Sequence, residues 1–232
     1  MPKFKKYLQK QGINDVGLTH FLTDSQGQKI ENPRFFRRNE KALKKAQRRV
    51  SRKKKDSQNR IKARNRLSRK HLKIQRRRKD FVVKTARALV LSNDLIAIED
   101  LQVRNMVKNH HLAKSISDAA WSQFREWLEY FGKVFGVPII AVAPDFTSQD
   151  CSNCGTEVKK TLSTRTHACP HCKHVQDRDH NAAKNILKKA LQQLSKTTSG
   201  QEESNACGEN DLCLIGETQL SKPTRRSRKP KQ

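Results

Sequence analysis

Four cysteines form the most regularly spaced chemical pattern in this sequence. They make two Cys-x-x-Cys pairs that are separated by fourteen residues. The four residues are Cys151, Cys154, Cys169 and Cys172. Two such pairs supply the four thiolates of a tetrahedral Zn²⁺ site, and a closed shell leaves no position for water, so the predicted role is structural. His167, His171 and His174 are nearby alternative ligands, but four thiols already suffice.

Carboxylates form a second, more scattered pattern. Glu99 and Asp100 end a predicted buried strand, Asp177 and Asp179 precede a predicted helix, and Asp15 lies near the first β-like segment. Carboxylates at the strand ends of an α/β sheet can hold Mg²⁺, and two ions about 3.5–4 Å apart support phosphodiester hydrolysis. For each carboxylate alone, a helix cap or a solvated strand end is the simpler interpretation.

Positive charge is concentrated in one segment. The 232 residues carry a net charge of +28, and residues 34–79 hold 23 Lys and Arg against two acids. Such a segment predicts a polyanionic partner and binding that weakens steeply with salt, the alternative being a solvated helix face. Without interleaved aromatic residues, backbone contacts to a duplex or heteroduplex are favoured over base stacking. The predicted contacts are Arg37, Arg38, Lys44, Arg48, Arg49, Arg52, Lys53, Lys54, Arg60, Arg64, Arg76 and Arg77.

Apolar periodicity predicts the elements that must position these groups. We expect an α/β core with a mixed sheet, because helical and strand patterns alternate along the chain. The predicted strands are short pieces at 20–22 and 29–30, then buried strands at 94–100 and 137–143. The predicted helices are a basic pair with a break at 55–59, one at 121–135 and one at 181–194, with a loop at 102–118.

Hydropathy and cysteine usage restrict the cellular setting. Only 34% of the residues are hydrophobic. The sequence has no run of 18 apolar residues, so no membrane span is predicted. The basic N-terminus lacks the apolar segment of a signal peptide. Paired cysteines in such a chain indicate metal binding rather than disulfides. We therefore expect a cytoplasmic protein without a membrane partner.

Several stretches resemble a known family. They are GINDVGLTHFLTDSQGQKIENPRFFRR, the basic run with RRVSRKKK, LIAIEDLQVRNMVKNHHLAKSISDAAWSQFREWLEY, PDFTSQDCSNCG, and CPHC followed by DRDHNAAKNIL. Together they resemble the C-terminal part of TnpB-type (OrfB) proteins, which bacterial and archaeal insertion sequences encode and which are similar to type V CRISPR effector nucleases. The resemblance covers residues 12–190, and a zinc ribbon between TSQ and DRDxNAA is its most specific feature.

The resemblance implies a fold and an activity. The implied fold is an RNase H-like (RuvC-like) mixed sheet with a helical insertion and a zinc-ribbon insertion. The implied activity is RNA-guided DNA cleavage or a role in transposition, in which Asp15, Glu99 and Asp179 bind catalytic Mg²⁺. The implied partners are DNA and a guide RNA of the mobile element, in a nucleoid-associated location. The corresponding segments are 1–150 for the nuclease core, including the basic helices at 34–92, then 151–172 for the ribbon, 173–194 for the last acid and helix, and 195–232 for a disordered basic tail.

Two departures from the family pattern lead to further expectations. The family places its first acid directly after Gly-Ile, whereas Asn14 separates Ile13 from Asp15 here. Because strand faces alternate, we expect Asp15 to face away from the other acids unless a bulge absorbs Asn14. The region that precedes this point in family members is short here, which predicts a truncated copy. The rival functions are an inactive nucleic-acid-binding remnant and, less favoured, an RNA-scaffolding protein of ribosomal type.

Overall fold

The protein forms a mixed α/β structure. A computed structural model describes residues 11–161 and 164–199. Its strands are β1 (Gln11–Val16), β2 (His20–Thr23), β3 (Lys29–Glu31), β4 (Leu95–Glu99), β5 (Ile139–Val142), β6 (Thr166–Ala168) and β7 (Val175–Asp177). Its helices are α1 (Phe35–Ser51), α2 (Gln58–Ser92), α3 (Val103–Met106), α4 (Ala113–Ala119), α5 (Trp121–Phe135) and α6 (Arg178–Ser199). Among these helices, none is both long and apolar enough to cross a bilayer.

Five strands form the central sheet in the order β3-β2-β1-β4-β5. Strands β1, β4 and β5 run parallel, whereas β2 and β3 join as an antiparallel meander on the side of β1. The mixed sheet and the inclusion of the N-terminal β segments are therefore confirmed. The separate two-stranded sheet of β6 and β7 belongs to the cysteine-rich region and runs past Cys172 to Asp177.

Strand β1 corrects one of the sequence-based expectations. It lies in the interior of the sheet between β2 and β4. Its parallel pairing with β4 is continuous from Gln11 beside Leu95 to Asn14 beside Ile98, and therefore brings Asp15 level with Glu99. Neighbouring residues in register share a face of the sheet. The expectation that Asp15 faces away was wrong, because the register of the whole strand already accommodates Asn14 without a bulge.

Each face of the sheet is covered by different helices. On one face, Ile96 and Ile98 pack with Phe21, Val82 and Phe124, which belong to β2, α2 and α5. On the other face, the core is made of Ala97 of β4, Val142 of β5 and the small apolar stripe of α6. That stripe comprises Ala183, Ile186 and Ala190. Since Glu99 is two residues after Ala97, it faces the α6 side, which is where the candidate acids meet.

The basic segment folds as the predicted pair of helices. Helices α1 and α2 pack against each other, with Leu43, Ala46 and Val50 of α1 buried, and the Ser57 hydroxyl accepts a hydrogen bond from the backbone N–H of Arg60 (3.2 Å) as the α2 N-cap. The break between them covers residues 52–57, close to the predicted break. The charged residues therefore line a helical hairpin whose second helix also packs in the core beside the sheet.

Asp118 of α4 holds this hairpin to the rest of the molecule. Its buried carboxylate accepts hydrogen bonds from the backbone N–H groups of Phe36 (2.9 Å) and Arg37 (3.4 Å) at the start of α1. It also forms an ion pair with Arg78 of α2 at 2.9 Å. A carboxylate at a helix N-terminus satisfies free N–H groups and favours the helix dipole. One side chain thus fixes both helices, although α1 has no capping side chain of its own.

Three local predictions differ from the structure. The segment predicted as a loop at 102–118 contains the short helices α3 and α4. Strand β5 was expected to be buried, but only Val142 is fully covered, because β5 is the edge of the sheet. Helix α6 begins at Arg178 and continues to Ser199, past the predicted end at 194. The remainder of the predicted disordered tail, 200–232, lies outside the described residues.

Candidate active site and zinc site

Three carboxylates from distant parts of the chain come together at the carboxyl ends of the parallel strands. Asp15 is near the end of β1, and Glu99 is the last residue of the adjacent parallel strand β4. Asp179 lies in the first turn of α6, the helix that packs across β1, β4 and β5. The carboxyl ends of the parallel strands and the N-terminus of the covering helix therefore converge, which is the usual location for a ligand in an open α/β sheet.

The three acids influence one another electrostatically. Burial raises the pKa of Asp15 well above its usual value, and the negative charges of Glu99 and Asp179 raise it further. Burial also raises the pKa of Glu99, although a hydrogen bond from Thr147 and the positive charge of Lys189 oppose that shift. Concentrated negative charge at a partly dehydrated site is unfavourable until a cation compensates it.

Each of the other two acids is held by specific partners. The Thr147 hydroxyl donates a 2.5 Å hydrogen bond to Glu99 Oε1, and Thr147 is itself buried. Asp179 accepts a hydrogen bond from the guanidinium of Arg178 at 3.3 Å and is 4.0 Å from that of Arg165. These contacts orient the carboxylates and leave part of their oxygen lone pairs for another ligand.

Asp177, not Asp179, caps helix α6. Its Oδ1 accepts hydrogen bonds from the backbone N–H groups of Asp179 (2.9 Å) and His180 (3.3 Å), and its Oδ2 accepts one from Lys29 at 2.7 Å. Partial burial works to raise the pKa of Asp177, but Lys29 and the two N–H groups hold it below its usual value. The capping role that the sequence allowed for Asp179 is therefore performed by Asp177.

The donor set of the three acids suits a hard cation. Carboxylate oxygens are preferred by Mg²⁺, which also keeps several of its waters. Within 11–161 and 164–199, no group of three or more carboxylates has its ligand atoms all within 4.8 Å of one another. Asp15, Glu99 and Asp179 thus do not form one compact cage of ligand atoms.

The four predicted zinc ligands do form a compact cluster. Their Sγ atoms all lie within 4.8 Å of one another, with 3.6 Å between Cys151 and Cys172 and 3.6 Å between Cys154 and Cys169. Tetrahedral Zn–S bonds of about 2.3 Å imply S···S separations of about 3.8 Å. The residues present therefore fit Zn²⁺, and none of the three nearby histidines belongs to this cluster.

The surroundings act on the thiols of the cluster in both directions, because burial raises the pKa of Cys151 to about 11 whereas hydrogen bonds lower the pKa of two others. A hydrogen bond with the Thr156 hydroxyl lowers the pKa of Cys154, and one with Asn153 lowers the pKa of Cys172. His167 is fully buried beside Lys160, and burial together with the Lys160 charge lowers its pKa, which favours the neutral imidazole. The Lys160 ammonium also donates to the Ser148 carbonyl at 2.8 Å, which connects the ribbon to the loop after β5.

Two buried asparagines on α6 connect the zinc site to the acids. Asn185 donates to the carbonyls of Thr147 (2.9 Å) and Asp150 (2.7 Å), and Asn181 donates to the same Asp150 carbonyl (2.7 Å). Asn181 Oδ1 in turn accepts from the Ser152 N–H at 2.9 Å, inside the first cysteine pair. The loop 147–152 thereby holds Glu99 at one end and Cys151 at the other, and α6 fixes it in the middle.

These connecting residues were not identified as functional from the sequence. Thr147, Asn181 and Asn185 are polar, yet each is more than nine-tenths buried, and their hydrogen-bond partners are distant in sequence. Asn181 and Asn185 are one helical turn apart, so a polar pair at this spacing inside an apolar stripe was the available signal. Asp118 was missed for the same reason, because its partners are in α1 and α2.

The predicted nucleic-acid contacts lie along the helical hairpin. All twelve are exposed except Arg60, which is half-buried and donates to the Lys53 carbonyl at 3.4 Å. On α1, six cations line one cleft of about 570 Å³: Lys41, Lys44, Lys45, Arg48, Arg49 and Arg52. In the described residues around them, acids are scarce, and Glu40 is already occupied by Lys44 and Lys114 at 3.0 and 2.9 Å.

Comparisons with family models identify the class of protein. Residues 6–110 match a family model described as "Probable transposase", and residues 121–186 match one described as "Cas12f1-like, TNB domain". The first match includes β1, the basic hairpin and β4, and the second includes the cysteine cluster and the first part of α6. The chain belongs to the TnpB/OrfB-type family of insertion-sequence proteins.

Individual relatives agree with this assignment. A Streptomyces pristinaespiralis protein named "Putative RNA-guided DNA endonuclease" is 46% identical over 179 residues, which are 76% of this chain and 44% of that protein. An Escherichia coli protein of the same description, InsQ, is 34% identical over 75% of this chain and 47% of its own length. The chain thus spans less than half the length of these relatives.

A solved structure has a similar fold. The cryo-EM structure of a Cas12f1-sgRNA-target DNA complex contains a chain that matches 75% of this one and 48% of its own length, with a TM-score of 0.55 and 20% sequence identity. At this level of identity the similarity concerns the fold alone. It agrees with the mixed α/β architecture and with the family to which the sequence belongs.

Proposed function

We propose that this chain carries a RuvC-like nuclease site that hydrolyses DNA phosphodiesters with Mg²⁺ held by Asp15, Glu99 and Asp179. The observation that carries the proposal is the convergence of these three acids, from β1, β4 and α6, at the carboxyl ends of the parallel strands. Bound Mg²⁺ would supply Lewis-acid activation of water and stabilisation of the leaving oxygen. Two relatives whose names describe them as putative RNA-guided DNA endonucleases support this reaction class.

The side chains of the protein have distinct parts in this proposal. Asp15 and Glu99 present oxygens from neighbouring strands, and Thr147 keeps Glu99 in one orientation through its hydroxyl. Asp179 presents its oxygens from the start of α6, and Arg178 fixes that carboxylate from the same turn. Because these groups are held by strands and a packed helix, little reorganisation is needed when a substrate phosphate arrives.

The helical hairpin is proposed to bind the nucleic-acid backbone. Its exposed cations follow both helices, and phosphates along a heteroduplex of guide RNA and target DNA would match such a track. The Cas12f1 structure of similar fold was solved with a guide RNA and target DNA. We extend that partner class to this chain, together with an RNA of the mobile element and a nucleoid-associated location.

Binding without cleavage is the second candidate function. It is favoured by one observation, namely that the basic hairpin is held to the fold by Asp118 and Arg78, not by any of the three acids. Nucleic-acid binding can therefore persist in a protein whose acid site does not assemble with metal. The two candidates differ in one measurable property, which is cleavage that depends on a divalent cation.

The test compares cleavage by wild type, Glu99→Ala and Glu126→Ala, each purified with RNA co-expressed from the DNA that flanks the gene. Glu126 is an exposed acid of α5 and serves as the matched control. We expect Mg²⁺-dependent DNA cleavage by wild type and Glu126→Ala, none by Glu99→Ala, and equal zinc content in all three. Retained cleavage in Glu99→Ala would refute the assignment of this acid. Zinc-loaded protein that binds DNA but never cuts it would establish the binding function instead.

A further inference from the structure

Phe146 stands out in the loop that connects β5 to the zinc site. Its side chain is 54% exposed, whereas the next residue, Thr147, is buried and donates a hydrogen bond to Glu99 at the end of β4. Phe146 belongs to neither of the apolar cores of the described residues. It also makes no pair with another aromatic ring among the aromatic contacts within 11–161 and 164–199.

The backbone of Phe146 is unfavourable for a bulky residue. Its φ angle is +58°, in the left-handed region that mainly suits Gly, Asn and Asp. Four other non-glycine residues in the described part of the chain share this conformation, and Phe146 is the only aromatic one: the others are Arg34, Asp56, Ala120 and Lys173. An exposed phenyl ring in a strained conformation gains nothing for the fold that a glycine would not supply.

The surrounding loop nevertheless holds this conformation firmly. The Phe146 carbonyl accepts hydrogen bonds from the backbone N–H groups of Gln149 and Asp150, each at 2.9 Å. The next residue, Thr147, is fixed through its carbonyl by Asn185 and through its hydroxyl by Glu99. Strained residues persist where neighbouring contacts over-determine them, and such residues cluster at ligand sites.

The position of the ring points to its ligand. Phe146 directly precedes the residue that orients Glu99, so its Cα is about 3.8 Å from that of Thr147. Residues 143–146 are all exposed, and the nearby cation Lys189 acts on Glu99 and donates to the Asp145 carbonyl. Within 11–161 and 164–199, the other exposed aromatic residues are Tyr130 and Phe135 of α5, the helix that precedes β5. A solitary ring beside cations and acids matches one nucleobase better than an apolar protein surface.

We propose that Phe146 stacks on a base of single-stranded nucleic acid whose backbone lies at the acid site. An aromatic face binds any base with little sequence preference, and the unpaired strand leaves that base free to stack. The proposal extends the proposed nuclease by naming the state of its substrate strand. It does not require cleavage, since stacking can be measured in the absence of Mg²⁺.

The test measures binding and contact together, without added Mg²⁺ and without chelator so that zinc is retained. Single-stranded DNA and RNA oligonucleotides that contain 5-iodouracil are titrated at raised salt, where the backbone contacts of the hairpin weaken. They are then irradiated, and the crosslinked peptides are identified by mass spectrometry. We expect an adduct at Phe146 in wild type, with DNA, with RNA or with both.

Three substitutions separate stacking from folding. Phe146→Ala removes the ring, Phe146→Gly removes the ring and also relieves the positive φ, and Phe146→Trp keeps an aromatic face. We expect the Ala and Gly variants to bind the oligonucleotides about 5- to 100-fold more weakly and the Trp variant to bind at least as tightly as wild type. Phe135→Ala, the matched loss of an exposed ring, should bind as wild type does.

The outcomes distinguish this proposal from the proposed nuclease. Unchanged affinity in both Phe146→Ala and Phe146→Gly, with no adduct at Phe146 in wild type, would overturn stacking whether or not the protein cuts DNA. Conversely, an adduct at Phe146 in wild type together with weaker binding by the Gly variant would support stacking even if no Mg²⁺-dependent cleavage is found. Because Phe146→Gly is expected to fold at least as well as wild type, a folding defect cannot imitate the loss of binding.

Discussion

The zinc ribbon and the acid site are built in opposite ways. All four thiolates of the ribbon come from 22 consecutive residues, in one tight turn at 151–154 and a second at 169–172 that connects β6 to β7. The three acids come from β1, β4 and α6, so they are separated by 84 and 80 residues along the chain. The first site needs correct local turns, whereas the second requires that the whole sheet forms in one register.

The two sites also differ in how their ligand groups are held near one another in the absence of metal. The cysteine cluster has sulfur atoms already at about zinc-binding distances. The acids, by contrast, repel one another, and this repulsion is one cause of the raised pKa of Asp15. We therefore expect the local site to depend on a bound ion for its stability, and the distributed site to depend on the fold to hold groups that would otherwise separate. Three predictions test this contrast.

The largest effect is expected from Cys169→Ser. Cys169 is buried and its loss opens the coordination shell, and structural zinc contributes about 10–16 kcal/mol of binding free energy in small domains. We expect zinc content measured by mass spectrometry to fall from about one ion per chain to near zero. Amide hydrogen exchange should show lost protection in β6 and β7 and retained protection in α1 and α2.

His171→Ala is the matched control for this change. His171 lies between the two cysteines of the second pair, but it is exposed and is not part of the thiolate cluster. This variant should keep its zinc and the protection of β6 and β7. Full zinc content in Cys169→Ser, or its loss in His171→Ala, would mean that the ligand set includes a histidine.

A smaller effect is expected from Asn185→Ala, which removes the connection between the two sites. The change leaves the buried carbonyls of Thr147 and Asp150 with fewer donors, at a cost of about 1–3 kcal/mol in the free energy of unfolding measured in urea. Because loop 147–152 holds both Glu99 and Cys151, we also expect faster zinc release and slower cleavage in the same variant.

Gln192→Ala, an exposed change on the same helix, controls for altered helix propensity and should leave all three quantities unchanged. A variant at Asn185 that loses stability but keeps wild-type zinc release would show that the ribbon is independent of α6. In that case the contrast between a local and a distributed site would be complete, with no energetic link between them.

The sequence predicted the clustering of the four cysteines fully and the arrangement of the distributed site only in part. Cys151, Cys154, Cys169 and Cys172 were found from spacing alone, because their geometry depends on two short turns. The facing direction of Asp15 was predicted wrongly, because it depends on how β1 pairs with a strand 84 residues away. Alternation within one strand shows which of its residues share a face, but the pairing with the neighbouring strand determines which residues of the two strands lie side by side.

The same distinction explains other differences. Helix α5 was predicted to the residue by its aromatic spacing, and β4 by its apolar run, since each signal lies within the element. Strand β5 has an equally apolar sequence, but its place at the sheet edge is set by the chain order and leaves it half-covered. Asn185 resembles any polar helix residue until its partners in the loop after β5 are known.

The smallest effect, and the only one expected to stabilise the protein, comes from Asp15→Asn. Burial and the charges of Glu99 and Asp179 raise the pKa of Asp15 above the value of 3.8 that it has when unfolded. The folded protein therefore binds the proton more tightly than the unfolded chain, and the ionised form at neutral pH opposes folding. We expect Asp15→Asn to have a higher Tm than wild type at pH 7 without Mg²⁺, and the difference should shrink as the pH falls through the raised pKa of Asp15.

Asp177→Asn is the opposite case. The folded state holds the pKa of Asp177 below 3.8, so the Asp177 charge stabilises the protein at neutral pH and that contribution is lost on acidification. Thermal unfolding of both variants from neutral to acidic pH should thus give Tm differences of opposite sign. If Asp15→Asn instead lowers Tm at pH 7, the acids are not in mutual repulsion, and the distributed site would be stabilised by its own contacts as the ribbon is by its ion.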